Sequence, residues 1–299
     1  MSILVLGTVA LDTIKTPAGQ RTRMLGGSAT HFAMSARLFT TVNLVAIVGE
    51  DFPKEYIAFL KRKGIILTSL ITGAGKTFHW EGEYRGDLNT ALTHKTELGV
   101  LSAFQPQVAD HQRRIKYIFL ANVDPDIQGH LLDSMKEPKL IGLDSMNFWI
   151  EHKRASLVKL LKRVDMYVAN DAEARQLSGE ANLIKAAKAL RKMGPKMVVI
   201  KKGEHGVLFF YDGLLFCLPG FPVAEVIDPT GAGDTFAGGL MGYLAKAGTV
   251  NHKTIKKALA YATVIASFNV EAFGADKTAG LNMAAVHKRL AAFRQHIHF

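Results

Sequence analysis

Residues 228–236 combine glycines and acidic side chains in an order that suits phosphoryl transfer. The segment is Asp-Pro-Thr-Gly-Ala-Gly-Asp-Thr-Phe, in which Gly231 and Gly233 permit backbone conformations and close approach that other residues resist. Apolar residues at helical spacing follow, so the segment predicts a helix start whose free amides and dipole attract an anion. Asp234 would repel a merely bound phosphate, but as a base it can accept a hydroxyl proton while the Gly231–Gly233 amides stabilise the transferring group. The alternative is that Asp234 only caps the helix.

Three other places in the chain carry residues that bind small molecules, although each also has a structural explanation. Asn170 and Glu173 have the Asn-x-x-Glu spacing of a capping box, in which each side chain bonds the other residue's amide. Gly26 and Gly27 precede a predicted helix and, by themselves, indicate a tight turn. Asp12 follows the first apolar run, where an aspartate is usually a turn residue. The residues alone leave both interpretations open at each place.

The hydrophobic pattern predicts the elements that must position these residues. Nearly continuous apolar runs, typical of strands covered on both faces, occur at Ile3–Leu6, Asn43–Val48, Tyr117–Leu120, Leu140–Leu143, Met166–Ala169 and Met197–Ile200. Between them, apolar residues recur at helical spacing, as in the predicted helix Thr30–Phe39. Alternating strands and helices predict an α/β fold with a doubly wound, mostly parallel sheet.

One stretch departs from that pattern. From Lys76 to Arg85, aromatic residues and a glycine alternate with mostly charged residues, and this period of two indicates antiparallel strands with unlike faces. We therefore predict a small β lid at residues 73–98, inserted into a core of residues 1–72 and 99–299. Its aromatic side chains would keep water from a reaction centre; these are Phe78, Trp80 and Tyr84. The alternative is an edge hairpin without a functional role.

Size and composition exclude several classes of protein. With 299 residues, of which 48% are hydrophobic and 21% charged, the chain can bury a large core and is neither disordered nor fibrous. Its single cysteine, Cys217, cannot form an internal disulfide or a zinc cluster. The sequence contains no run of about 20 apolar residues, the length that crosses a membrane. We expect a cytoplasmic protein that does not bind membranes.

The chain is basic, with 37 Lys and Arg against 26 Asp and Glu, or a net charge of +11. These basic residues are scattered over the polar faces of predicted helices, without interleaved aromatic residues or a basic tail. They therefore indicate a solvated surface, or attraction of a small anionic substrate such as a nucleotide, rather than nucleic-acid binding.

Five motifs, in order along the chain, resemble those of the ribokinase/PfkB carbohydrate kinase family. The run from Asp228 to Ala245 is similar to the family's C-terminal signature, and the other four motifs are Gly26–Thr30, Val48–Asp51, Asn170–Glu173 and Lys202–Gly206. The predicted lid falls where the family places one. The resemblance implies a ribokinase-like fold and a kinase that transfers the γ-phosphate of ATP to a hydroxyl of a sugar. A nucleoside is the alternative acceptor.

The resemblance also implies roles for individual residues. Asp234 would be the catalytic base, with the amides of Gly231, Ala232 and Gly233 as the anion hole. The acceptor would be bound by Asp12, Gly26, Gly27 and His31. ATP would be bound by Asn170, Lys202, Gly203, Gly206, Thr230 and Thr263. Glu173 would hold Mg²⁺ through water, and Asp228 matches a position that binds K⁺ in some relatives.

His31 is the clearest departure from the family pattern, because ribokinase-like members tend to have asparagine there. A neutral imidazole offers one donor and one acceptor, so His31 could recognise a different hydroxyl pattern or an anionic group. Alternatively, it turns away and bonds the helix that it starts. Ribose as the substrate is therefore in question.

Two rival functions are weighed against the kinase. A dinucleotide oxidoreductase needs Gly-x-Gly-x-x-Gly after the first strand, but Gly7 is followed by Thr-Val-Ala-Leu-Asp. A non-catalytic regulator with a kinase fold is the second rival. It is disfavoured because the residues Gly231–Asp234 and Asn170–Glu173 are intact. The family resemblance also leads us to expect a homodimer.

Overall fold

The computed structural model describes residues 1–86 and 88–298. Asp87, inside the predicted lid, and Phe299, at the end of the predicted core, lie outside the described residues. The strands are β1 (Ser2–Leu6), β2 (Ala10–Thr16), β3 (Gly19–Gly26), β4 (Thr41–Gly49), β5 (Ile66–Gly73), β6 (His79–Tyr84), β7 (Ala91–Glu97), β8 (Tyr117–Leu120), β9 (Leu140–Asp144), β10 (Met166–Asn170), β11 (Met197–Lys201), β12 (Val207–Tyr211) and β13 (Leu214–Leu218). The α-helices are α1 (Ser28–Ala36), α2 (Lys54–Arg62), α3 (Pro125–Ser134), α4 (Asn147–His152), α5 (Arg154–Leu161), α6 (Asp171–Ser178), α7 (Leu183–Lys192), α8 (Ala232–Ala247), α9 (His252–Asn269), α10 (Asp276–Gly280) and α11 (Met283–Ile297).

A nine-stranded sheet runs through the centre of the protein in the order β13-β12-β11-β10-β9-β8-β1-β4-β5. The strands from β11 to β5 pair in parallel, whereas β12 and β13 pair antiparallel at one edge. The carboxyl ends of the parallel strands therefore share one side of the sheet, where ligands of open α/β sheets bind. The mixed α/β fold with a mostly parallel sheet is confirmed.

Helices cover both faces of this sheet. The strand β1 supplies Ile3 and Val5 to one core, with α1, α8, α9 and α11, and Leu4 and Leu6 to the other, with α3, α5, α6 and α7. All four side chains are fully buried. Burial on both faces explains why the strands read as continuous apolar runs.

The lid is a second, four-stranded sheet in the order β3-β2-β6-β7. The pairs β2–β3 and β6–β7 are antiparallel, and β2–β6 is parallel. Half of this sheet thus comes from residues 10–26, outside the predicted lid range of 73–98, and Gly73 ends a strand of the main sheet. Asp12 accordingly lies inside β2 rather than in a turn after β1.

The remaining differences from the prediction lie at the two edges of the main sheet and at the ends of helices. The helix predicted over Thr30–Phe39 spans Ser28–Ala36, and β5, β12 and β13 were not predicted. Among the described residues, no helix has both the length and the apolar character that a membrane span requires.

Candidate active site

The glycine-rich segment forms a turn that leads into α8. Gly231 has a left-handed backbone, with φ at 71°, and the His31 imidazole lies against it, since a Cβ added to Gly231 would be 2.3 Å from Cγ of His31. Both the dihedral angle and the contact require glycine. Ala232, Gly233 and Asp234 form the first turn of α8, where backbone N–H groups lack helical partners. The structure thus places the predicted anion hole and the predicted base together.

Asp228 holds this turn in place through both carboxylate oxygens. Oδ1 accepts the N–H of Thr230 and Oδ2 accepts the N–H of Gly274, each at 2.9 Å. Asp228 is fully buried, so these bonds compensate for its lost hydration. They connect the start of α8 to the loop after α9.

His31 is held in one tautomer by Asn269 at the end of α9. The Asn269 Nδ2 donates to the carbonyl of Thr230 at 2.7 Å, which makes Oδ1 the acceptor that receives the Thr235 hydroxyl at 2.9 Å. The Nδ1 of His31 is 3.2 Å from that same oxygen, so Nδ1 carries the proton. Burial lowers the pKa of His31, and the neutral ring therefore presents Nε2 as a pure acceptor.

This geometry bears on the two interpretations of His31, which were recognition of the acceptor and a hydrogen bond to its own helix. Its side chain contacts the turn before α8 instead of bonding its own helix, and Nε2 has no hydrogen-bond partner among the described residues. A bare acceptor nitrogen binds a hydroxyl or N–H donor and repels an anion. The structure therefore excludes a bond from the His31 side chain to its own helix, whereas recognition of an acceptor by Nε2 stays a prediction.

Asp12 and the Gly26-Gly27 turn form the end of the site next to the lid. The Asp12 Oδ2 accepts the N–H of Gly27 at 3.2 Å, and a Cβ added to Gly26 would lie 1.9 Å from that oxygen. Glycine at position 26 is thus needed for the carboxylate to occupy this place. Asp12 is 4% exposed.

Tyr84 of the lid strand β6 reaches the turn before α8. The Thr230 hydroxyl donates to the Tyr84 Oη at 3.4 Å. Burial, and the charges of Asp228, Asp12 and Asp234, raise the pKa of Tyr84 to about 12. Tyr84, Thr230 and the three aspartates therefore lie close to one another beneath the lid.

The other end of the site contains the carboxylates of Glu173 and Asp144 and the ammonium of Lys201. Asn170 and Glu173 form the capping box at the start of α6: Asn170 N donates to Glu173 Oε2, and Glu173 N donates to Asn170 Oδ1, both at 2.8 Å. The Lys201 Nζ donates to Asp144 Oδ2 at 2.7 Å. Lys201 and Asp144 lie at the carboxyl ends of the parallel strands β11 and β9, which flank β10 on either side.

Burial and nearby charges raise the pKa values of three carboxylates of the site, those of Asp234, Glu173 and Asp12. Burial and the charge of Asp144 raise the pKa of Asp234 to about 7, although Lys201 opposes the shift. Burial and the charge of Asp144 likewise raise the pKa of Glu173 to about 8. Burial, together with the charges of Asp228 and Asp234, raises the pKa of Asp12 to about 7. A general base with a pKa near 7 is matched to neutral pH.

The residues at this end fit the Mg²⁺ that a kinase of ATP would use. Asp144, Glu173 and Asp234 offer the oxygen donors that Mg²⁺ prefers. A bound cation would favour the ionised forms of Glu173 and Asp234, whose pKa values are raised to about 8 and about 7. Within residues 1–86 and 88–298, no three His, Cys, Asp or Glu side chains are grouped to hold an ion directly. A magnesium ion that keeps most of its water is compatible with that arrangement.

The predicted nucleotide residues at 202–206 form a tight turn after β11. The Lys202 N–H donates to the carbonyl of Gly206 at 2.7 Å, and Gly203 and Gly206 have φ of 55° and 84°. The side chain of Asn89, from the lid, lies against Gly203, because a Cβ added there would be 2.8 Å from Oδ1 of Asn89. Thr263 is buried in α9, and its hydroxyl has no hydrogen-bond partner among the described residues.

A comparison with protein families decides the identity of the chain. Residues 3–280 match the family described as pfkB family carbohydrate kinase. This chain belongs to the pfkB family. The match covers most of the chain, so the pfkB resemblance of its motifs and the prediction of a kinase are both confirmed.

Two curated relatives of this pfkB kinase align over most of its length. A cytidine kinase of Thermococcus kodakarensis is 33% identical over 250 residues, which cover 81% of this chain and 88% of the relative. A nucleoside kinase of Methanothermobacter thermautotrophicus is 27% identical over 304 residues, with coverage of 90% and 89%. The pfkB chain is therefore a phosphotransferase that acts on a hydroxyl of a sugar or nucleoside.

The fold of this pfkB kinase is also found in solved structures. An Escherichia coli protein with the provisional name ribokinase II, in complex with ATP and Mg²⁺, superposes with a TM-score of 0.79 at 18% identity. The alignment covers 97% of this chain and 99% of that one. The ribokinase-like fold is confirmed.

Several site residues of this pfkB kinase were not among the predicted ones. Asn269, which fixes the His31 tautomer, gives no local signal, because its partners lie 34 or more positions away. Asp144 could have been found, since it ends a predicted strand on the side of the sheet where ligands bind. Lys201 ends another such strand, beside the predicted Lys202. The family resemblance had indicated that either of these two lysines could meet phosphates, with an exposed strand-end lysine as the alternative.

Proposed function

We propose that this chain transfers the γ-phosphoryl group of ATP to a hydroxyl of a nucleoside, with Asp234 as the general base. The observation that carries the proposal is the position of Asp234 between two groups of residues. Gly231, three residues before Asp234, lies against the His31 ring on one side, and Gly233, just before it, lies against the Nζ of Lys201 on the other. The charge of Asp234 accordingly raises the pKa of groups on both sides, which are Asp12, Tyr84, Glu173 and Lys201. A base between an acceptor and a nucleotide must occupy that position.

The chemistry follows from this arrangement. An acceptor hydroxyl held near Asp12 gives its proton to Asp234 as its oxygen bonds to the γ-phosphorus. The bond from that phosphorus to the bridging oxygen breaks, and ADP leaves with the electron pair. The amides of Ala232 and Gly233 stabilise the charge on the transferring group. Bound Mg²⁺, with Glu173 as an outer ligand, supplies charge neutralisation of the phosphates.

A nucleoside is preferred to a free sugar because the two curated relatives described above, which align over 81% and 90% of this chain, are named for nucleosides. The aromatic lid supports the same choice, since Tyr84 is available to contact a flat base. A sugar is the second candidate, because Asp12 and the Gly26-Gly27 turn can bind the hydroxyls of either acceptor.

The test is ADP release from Mg·ATP across a panel of nucleosides and sugars, with Asp234→Asn in parallel. We expect turnover with nucleosides, and a loss of about 100- to 10,000-fold in the variant, as for removal of a general base. Nucleotide affinity should be retained. Asp110→Asn, whose side chain is 94% exposed, is the matched control and should behave as wild type.

The pH dependence gives a second readout. Because the pKa of Asp234 is about 7 and the base must be ionised, kcat/KM should fall as pH decreases below about 7. An Asp234→Asn variant with near-normal turnover would remove Asp234 from the mechanism. Turnover of sugars alone would contradict the proposed acceptor class.

Other expectations from the family resemblance stay predictions. They are a cytoplasmic location, a homodimer, roles of Lys202, Gly203, Gly206 and Thr263 in ATP binding, and K⁺ near Asp228. Both Asp228 oxygens already accept backbone amides, so a K⁺ ion there would rely mainly on other oxygens.

A further inference from the structure

Lys201 occupies an unusual place for a strand-end lysine. Its Nζ lies against the start of α8, because a Cβ added to Gly233 would be 2.9 Å from it. The ammonium is thus beside the anion hole rather than in solvent, and its side chain is 17% exposed. Asp144, which accepts one of its protons, is 5% exposed.

The surroundings keep this ammonium charged. Burial lowers the pKa of Lys201, but the charges of Asp144, Glu173 and Asp234 outweigh that effect and raise it. A lysine has three donors, and among the described residues only Asp144 receives one. The other two donors remain for a ligand at the edge of the anion hole.

We propose that Lys201 contacts the transferring phosphoryl group as a catalytic residue, and that Asp144 positions it. This inference rests on the proposed phosphoryl transfer but does not depend on the acceptor. The amides at the start of α8 supply partial positive charge, and Lys201 adds a full charge on the same side. Its neighbour Lys202 contributes a backbone N–H to the turn with Gly206.

An ion pair that only stabilises the fold is the competing explanation for Lys201. A buried pair is weak evidence for stability, since its desolvation often cancels its attraction. Such a pair also would not need contact with Gly233. The two explanations predict different behaviour toward a mimic of the transferring group.

The first experiment measures binding of Mg·ADP with and without aluminium fluoride, which mimics the transferring phosphoryl group. In the wild type we expect fluoride to tighten ADP binding by about 100-fold or more, as for a transition-state analogue. Lys201→Met should lose most of this tightening while its affinity for Mg·ADP alone stays within about threefold. Lys201→Arg, which keeps the charge, should retain part of it. Lys196→Met, at an exposed position before β11, is the control.

A double variant separates contact from fold stability. Lys201→Met leaves Asp144 as an unpaired buried charge, whereas Lys201→Met with Asp144→Asn removes that charge. If Lys201 contacts the phosphoryl group, the double variant regains thermal stability without fluoride-dependent tightening. Tightening that returns in the double variant, or persists in Lys201→Met, overturns the proposal. Absence of tightening in the folded wild type overturns it as well.

The positioning role of Asp144 is tested by pH profiles of kcat/KM with an acceptor identified by the panel. Because Lys201 lowers the pKa of Asp234 and Asp144 raises it, Lys201→Met should move the acidic limb to higher pH and Asp144→Asn to lower pH. Because these shifts would follow from charge alone, the positioning role also requires that Asp144→Asn lose most of the fluoride-dependent tightening of ADP. Unmoved limbs, or full tightening in Asp144→Asn, would contradict the assignment. If the wild type phosphorylates nothing on the panel but fluoride tightening depends on Lys201, the proposed acceptor fails and the role of Lys201 stands.

Discussion

His31 shows how a single side chain is tuned by a distant residue. The Thr230 carbonyl orients Asn269, and Asn269 then receives the Nδ1 proton of His31. The ring is buried, neutral and packed on Gly231. It therefore couples the N-terminal Gly-Gly motif to the turn that carries Asp234, and it leaves Nε2 as an acceptor.

We predict that His31→Asn changes the KM for the acceptor more than the KM for ATP. The shorter amide cannot both bond Asn269 and fill the space against Gly231, so the acceptor side of the turn should loosen. The expected rise in acceptor KM is about tenfold, the cost of one lost polar contact. Initial rates with each substrate varied in turn provide the measurement.

His130→Asn, at an exposed position in α3, is the control for this prediction. It should leave both constants unchanged. If His31→Asn alters only the response to ATP, His31 does not belong to the acceptor side.

At the scale of elements, the lid contacts both ends of the site. Tyr84 at the end of β6 accepts the Thr230 hydroxyl, and Asn89, in the loop before β7, lies against Gly203. Because β2 pairs with β6, the strand that carries Asp12 is part of the same sheet. A movement of the lid would therefore shift Asp12, the carboxylate that we propose binds the acceptor, together with the cover over the site.

We predict that Tyr84→Ala increases the ratio of ATP hydrolysis to acceptor phosphorylation about tenfold. Loss of the ring opens the lid side of the site to water, which then competes with the acceptor hydroxyl. Total ADP and phosphorylated acceptor, measured in the same reaction, give the ratio. Leu92→Ala, on β7 and 50% exposed, is the control, and an unchanged ratio in Tyr84→Ala would exclude Tyr84 as a water barrier.

At the scale of the whole molecule, the site concentrates buried carboxylates in a protein of net charge +11. Asp12, Asp234 and Glu173 have pKa values of about 7, 7 and 8, whereas unfolded carboxyls titrate near 4. Between these values the folded state binds more protons than the unfolded state. Stability must therefore fall as pH rises through this range.

We predict that the melting temperature of the protein without nucleotide decreases from about pH 5.5 to about pH 8, between the unfolded and the folded pKa values of these groups. Glu173→Gln should weaken this dependence, because the group with the highest of the three pKa values no longer ionises. Thermal unfolding followed by circular dichroism across this range is the measurement. Glu137→Gln, whose side chain is 91% exposed, should keep the wild-type slope, and a melting temperature that rises with pH would contradict the prediction.

The local hydrophobic pattern of the sequence was enough to predict much of the fold. Continuous apolar runs predicted six of the parallel strands because burial on both faces leaves no polar alternation. The lid was only half predicted. Residues 10–16 are almost entirely buried and lack the alternation that identified β6, so their membership in the lid sheet depends on pairing with distant strands.

The sequence by itself determined the residue types that phosphoryl chemistry needs and the glycines that allow the turn before α8. Those properties are local, because a left-handed Gly231 and the first turn of a helix involve only near neighbours. Only the tertiary structure decided which charges meet. The Lys201–Asp144 pair and the His31–Asn269 bond join residues 57 and 238 positions apart. Their contacts follow from strand order and helix packing, which bring the ends of separate elements to one side of the sheet.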